Sequence, residues 1–191
     1  MKKFLQKLLV RFGKSYNVDE NISNRLILHF IGQRIIMMIR GVFKTRRKIF
    51  IGKGTTVLNS SNFKFGNACT IENNVLLDCY ASKMISFGDV VKIGAHSTIS
   101  TTSHLSNYGK GLSIGNNSAI GEYSYFGCSG GITIGDDVIM GQYISFHSQN
   151  HNFHSSKQLI RKQGVTSKGI TIGNNIWVGS KVTFLDGCNV G

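Results

Sequence analysis

From about Ile51 to Gly191 an apolar residue returns at every sixth position, usually with glycine after it. The run Ile172-Gly173, Val178-Gly179, Phe184, Val190-Gly191 shows it, as do Phe87-Gly88, Ile93-Gly94, Ile99 and Ile114-Gly115, Ile120-Gly121, Phe126-Gly127. So does Ile134-Gly135, Met140-Gly141, Phe146. Six matches neither the 3.6-residue period of a helix nor the two-residue alternation of a hairpin sheet. It is the period of a parallel β-helix, in which each hexad supplies one short strand and one corner.

Three hexads close one coil of a triangular prism. The anchors group as 65, 71, 77; 87, 93, 99; 114, 120, 126; 134, 140, 146; 172, 178, 184; and 190, with a poorer first turn from Ile51 and Val57. The spacing between groups is 10, 15, 8, 26 and 6, so every added residue enters at one corner, after the third hexad. Small or branched residues two positions before the anchors (Val75, Val91, Ser97, Ser118, Val138, Ile144, Ile176, Val182) can share the interior with them. The glycines are expected to relieve crowding at the corners. Stacking at about 4.8 Å makes six coils about 29 Å tall.

Charge divides the chain. Residues 1–50 hold twelve Lys/Arg against two Asp/Glu, and residues 51–191 hold ten against seven, so most of the net +13 lies in the first segment. Residues 4–12 place Phe4, Leu5, Leu8, Leu9 and Phe12 on one helical stripe, with Lys2, Lys3, Lys7 and Arg11 off it. A second apolar stretch runs from Leu26 to Phe43, where His29, Gln33, Arg34 and Arg40 argue against a transmembrane span. A short, charged apolar start without a small-residue cleavage site argues against a cleavable signal. Two readings of residues 1–50 stay open. Either the helices cover the first coil, or they lie on an anionic membrane surface with Lys44, Arg46, Arg47 and Lys48 at the phosphates. No aromatic-lined groove or recognition-helix context points to nucleic acid.

The four cysteines, Cys69, Cys79, Cys128 and Cys188, form no CxxC pair and no zinc spacing. They read as reduced core thiols. The longest insertion, residues 147–171, carries three of the six histidines: His147, His151 and His154. Function concentrates on loops held by rigid scaffolds. These histidines could ligate a metal, although no Asp or Glu lies near to support it. One of them could instead serve as a general base, or all three could be solvated.

The segments ITIGDDVIMGQYISFHSQNHNF (132–153) and GITIGNNIWVGSKVTFLDGCNVG (169–191) resemble the hexapeptide-repeat acyltransferases, in particular the sugar O-acetyltransferases of bacterial surface-polysaccharide pathways and the galactoside and maltose acetyltransferases. The resemblance covers about residues 51–191. It implies a mainly β, left-handed parallel β-helix behind a short N-terminal α-helical segment (1–50), a homotrimer with active sites between subunits, and acetyl-CoA as donor with no metal. It implies a sugar or glycan hydroxyl as acceptor, with an amino sugar, or a non-catalytic trimer, as alternatives. A cytoplasmic place, peripheral at the inner membrane, suits such a reaction.

The family's catalytic histidine follows the isoleucine of an IGD-type hexad by 17 residues, which carries the general-base role to His151. Trp177, Gly179 and Ser180 match positions beside the donor, and Arg161, Lys162 and Lys168 are candidates for its phosphates. Relatives often place an Asn one coil earlier; Glu122 or Ser124 would have to substitute for it here. Relatives also continue with further coils beyond the position of Gly191.

Overall fold

The computed structural model describes Lys2, Gln6 and residues 17–191, so the stripe expected over 4–12 lies outside the described residues. Three six-stranded sheets, all parallel, form the three faces of a prism, giving the left-handed parallel β-helix expected. The strands are two or three residues long.

Register confirms the anchor grouping. The first face stacks Ile51, Ile71, Ile93, Ile120, Met140 and Val178. The second stacks Val57, Leu77, Ile99, Phe126, Phe146 and Phe184. The third stacks Phe65, Phe87, Ile114, Ile134, Ile172 and Val190. All but Val57 and Val190 are buried in one continuous core. Full burial of a side chain of this size contributes about 1.5–3 kcal/mol. Down the second face the Phe126, Phe146 and Phe184 rings stack at 4.8 and 4.7 Å.

The corners show how the glycines relieve crowding, as expected. The glycines that follow anchors do not adopt positive φ. That conformation falls on the third residue after the anchor instead: Asn74, His96, Tyr123, Tyr143 and Lys181 between the first and second faces, and Ala68, Val90, Asn117, Asp137 and Asn175 between the third and first. The N–H of most of these residues bonds to the coil below, as from Tyr123 to the Ala95 carbonyl and from Asp137 to the Asn116 carbonyl. Glycine is needed for close approach. A Cβ on Gly121 would lie 2.3 Å from the Gly141 carbonyl oxygen, and one on Gly94 would lie 2.4 Å from the Gly121 carbonyl carbon. A side-chain ladder adds to the third-to-first corner. Asp89 accepts the Asn67 N–H, Asn116 that of Asp89, Asp136 that of Asn116, and Asn174 that of Asp136.

A helix, Asn24–Thr45, lies against the first coil. The Ser23 hydroxyl caps its start by accepting the Leu26 N–H, and Arg46 ends it in the left-handed conformation. Ile27, Met37 and Gly41 are its buried face. Gly41 is required there, because a Cβ would overlap the Ile49 carbonyl. Arg34 donates to the Thr70 hydroxyl and sits over the Phe30 and Phe50 rings, and Arg40 donates to the Ile51 carbonyl. Arg47 donates to the Phe65 carbonyl and covers the Phe65 ring. Arg47 is therefore committed to the prism rather than free for phosphates.

Candidate active site

The corner after the second face absorbs every insertion. The longest one starts after the strand Ser145–His147 and ends before Ile170–Ile172, so His147, Ile170 and Thr171 belong to the prism rather than to the loop. Buried Ser148 anchors its root: its hydroxyl donates to the Gly127 carbonyl and accepts the Gly130 N–H. Asn150–His151 then pairs antiparallel with Val165–Thr166. Gln163 ties the far end, with its amide oxygen accepting the Ser155 N–H and its nitrogen donating to the Ser155 and Gln158 carbonyls. The Asp186 carboxylate accepts the Lys168 and Gly169 N–H groups where the chain re-enters the third face. The segment is thus a braced hairpin, and it holds His151 on a strand.

His151 lines a cleft of about 180 Å³ with Ser100, Ser103, Tyr125, Gly127, Ser129, His147, Ser148 and Gln149. Its side chain is exposed and forms no hydrogen bond among the described residues. The His147 Nε2 pairs with the Ser145 hydroxyl at 2.8 Å, and its ring lies 5.6 Å from that of Tyr125. The Ser103 and Ser129 hydroxyls meet at 3.1 Å. Chemically the cleft places the His151 imidazole among hydroxyl groups.

A second, larger groove lies next to the cleft in sequence, with Ser129 lining the cleft and Gly130 the groove. The groove measures about 490 Å³ and runs along the third face past Lys83, Lys110, Lys168, Gly169 and Cys188. Lys110 Nζ donates to the Ser167 carbonyl. This places three cations beside exposed backbone, a surface that fits phosphate groups.

The other sequence candidates separate. His154 stacks on Phe153 at 5.6 Å and is not among the residues of the cleft. Arg161 and Lys162 sit on an exposed 3-10 turn, Ile160–Lys162, away from the groove, whereas Lys168 lines it. Trp177 is 80% exposed on the first face. The Ser180 hydroxyl donates to Gln142, and a Cβ on Gly179 would meet nothing within 4 Å. A single chain therefore does not bring Trp177, Gly179 or Ser180 to the His151 cleft. Within one chain neither substitute for an orienting Asn reaches the cleft. Ser124 is buried, its hydroxyl held between the Gly121 carbonyl and the Ile144 N–H, and Glu122 is outside the cleft on a different corner.

Ser100 and Tyr125 escaped the sequence analysis, and His147, named there among the loop histidines, was given no role in the family comparison. Ser100, Gly127 and His147 each follow a second-face anchor and pair in register, so the six-residue period extended by one position would have found them.

Cys69, Cys79 and Cys128 are buried free thiols, and Cys188 is half-buried. Desolvation pushes the Cys69 thiol up, pushes Cys79 up to about 12 with Asp78 adding to the effect, and raises Cys128 further. A thiolate nucleophile is disfavoured at these three positions. Among the described residues no group of three or more His, Cys, Asp or Glu is placed to hold a metal.

No family model matches the chain. It is 38% identical over 61 residues to the galactoside O-acetyltransferase of Escherichia coli, a stretch covering 31% of this chain and 29% of that protein. It is 24% identical over 147 residues to a probable acetyltransferase of Mycobacterium tuberculosis, covering 77% of this chain and 41% of that protein. The chain therefore spans less than half the length of the curated relatives it matches. Among solved structures, a maltose O-acetyltransferase from Clostridium difficile is similar at 18% identity and a TM-score of 0.43, covering 75% of this chain and 74% of that one. The chain is thus similar to sugar O-acetyltransferases of the hexapeptide-repeat type.

Proposed function

We propose that the protein transfers an acetyl group from acetyl-CoA to a hydroxyl of a sugar or glycan, in the assembly of a bacterial surface polysaccharide. The observation that carries this reading is the placement of His151. It stands on a braced hairpin, its side chain open to solvent and unpaired among the described residues, in a hydroxyl-lined cleft near a lysine-lined groove. Likeness to sugar acetyltransferases supports the same chemistry.

In this reading His151 takes the proton from the acceptor hydroxyl as that oxygen attacks the thioester carbonyl, then returns it to the departing thiolate. Ser100, Ser103 and Ser129 hold the acceptor by hydrogen bonds. Lys110 and Lys168 neutralise donor phosphates in the groove. Acetyl-CoA supplies the activated acyl group, and the cleft supplies proximity. A direct transfer needs no covalent intermediate on the protein, in keeping with three cysteines buried as thiols. Assembly as a homotrimer would supply Trp177, Gly179 and Ser180 from a neighbouring subunit, since they stand apart from His151 within one chain.

Thiol release from acetyl-CoA, followed across hydroxy-sugar and amino-sugar acceptors, tests this proposal. Release that depends on a hydroxy sugar is the expected result. Release only with amino sugars would move the reaction to N-acetylation, and the lack of acceptor-dependent release across the whole panel would contradict acetyl transfer.

A further inference from the structure

The helix Asn24–Thr45 is apolar on two opposite faces, and the prism covers only one. The outward face presents Leu28, Ile35, Ile36, Ile39, Val42 and Phe43, exposed by 43–84%. At helical spacing these residues form one stripe, interrupted near its middle by Gly32. A helix of 22 residues is about 33 Å long, so the stripe is large for a surface left in water.

Charge around the stripe is mainly positive, with Asp19 and Glu20 just before the helix as the nearby acids in sequence. Between Asn21 and Ile71 there is no Asp or Glu, against nine Lys or Arg. Arg34, Arg40 and Arg47 are used internally. Arg25 at one end and Lys44, Arg46 and Lys48 at the other are exposed. A second copy docking on this face would bring the same excess of cations together, with only Asp19 and Glu20 near the helix start to oppose it. A bilayer with anionic headgroups satisfies both features, burying the apolar stripe and pairing the flanking cations. The helix is long and apolar enough to cross a membrane. Its inner face is held sideways on the prism by the Arg34 and Arg40 hydrogen bonds, which favours lying in the membrane plane.

We infer that this basic end of the prism is a docking surface for an anionic lipid bilayer, with the outward face of Asn24–Thr45 seated in the interface. The claim concerns binding and needs no turnover, so it stands or falls separately from the acetyl-transfer reading.

Co-sedimentation of the full chain with vesicles tests it, comparing phosphatidylcholine alone with a mixture containing 30% phosphatidylglycerol. Binding at least tenfold tighter to the anionic vesicles is expected, weakening several-fold in 0.5 M salt. The variant Ile39→Ser/Phe43→Ser should lose at least tenfold, and Lys44→Glu/Lys48→Glu at least several-fold. Both should keep the parent melting temperature, because the four side chains touch little of the prism. Carbonate extraction should release the protein from the vesicles. Equal affinity for both vesicle types, full binding by the Ser variant, or retention after carbonate would each overturn the inference. So would a change of oligomeric state in the Ser variant, which would show that a second copy covers the stripe.

Discussion

Two corners of the prism turn the same way on every coil, and the third is different each time. At the regular corners the third residue after the anchor is left-handed and, from the second coil on, most often donates back to the coil below, even where it is Val90, His96 or Tyr123 rather than glycine. At the third corner the chain leaves for as few as three residues (186–188) or for the whole braced hairpin that holds His151. The regular corners carry the stacking, and identical turns are the condition for it. The third corner carries no such constraint, so length and chemistry can accumulate there without disturbing the core.

The comparison predicts very different tolerance to a single added methyl or branch. Gly121→Val should cost about 3 kcal/mol or prevent folding, because the side chain would run into the Gly141 backbone of the next coil. Gly164→Ala, in the hairpin, meets nothing closer than 3.8 Å and should cost about 1 kcal/mol, from its φ of +78° alone. Chemical denaturation of the two variants measures this; similar losses would mean that the corners are not distinct.

At the third corner the effects should be functional rather than structural. Lys168→Ala should leave the unfolding midpoint unchanged and raise the KM for acetyl-CoA about fivefold, the amount that losing one exposed charge pairing would remove. Steady-state kinetics with varied donor decides it, and an unchanged KM would take the groove out of donor binding.

The smallest effect should be a gain. Val90 is β-branched with φ 61°, a conformation that Asn adopts at the equivalent Asn117 and Asn175. Val90→Asn should therefore stabilise the protein by about 1 kcal/mol in the same denaturation experiment. A loss would mean that Val90 contributes packing that outweighs the backbone strain.

Most of the scaffold was legible because each anchor is both a spacing and a burial signal: Ile71 and Ile134 are apolar, periodic and nearly fully buried. That glycine relieves crowding at the corners was legible, but which residue takes the left-handed φ was not. Permissive φ and close approach select the same residue, and only the stacked coils show that Gly121 serves the second while Tyr123 takes the φ. In the site, His151 was reachable by spacing, but its surroundings were not. Ser100 and Tyr125 lie 51 and 26 residues away in sequence, and coil stacking alone makes them neighbours of the hairpin. Trp177 and Ser180 carry the opposite lesson: closeness in sequence to the hairpin places them on another face.

The central claim is that the third corner performs proton transfer through His151. The direct measurement is acceptor-dependent thiol release from acetyl-CoA by His151→Ala beside the parent protein, with the unfolding midpoint and oligomeric mass recorded for both. A fall of about 10²–10⁴-fold in turnover with both physical properties unchanged is the predicted result. Turnover within a few-fold of the parent would contradict it.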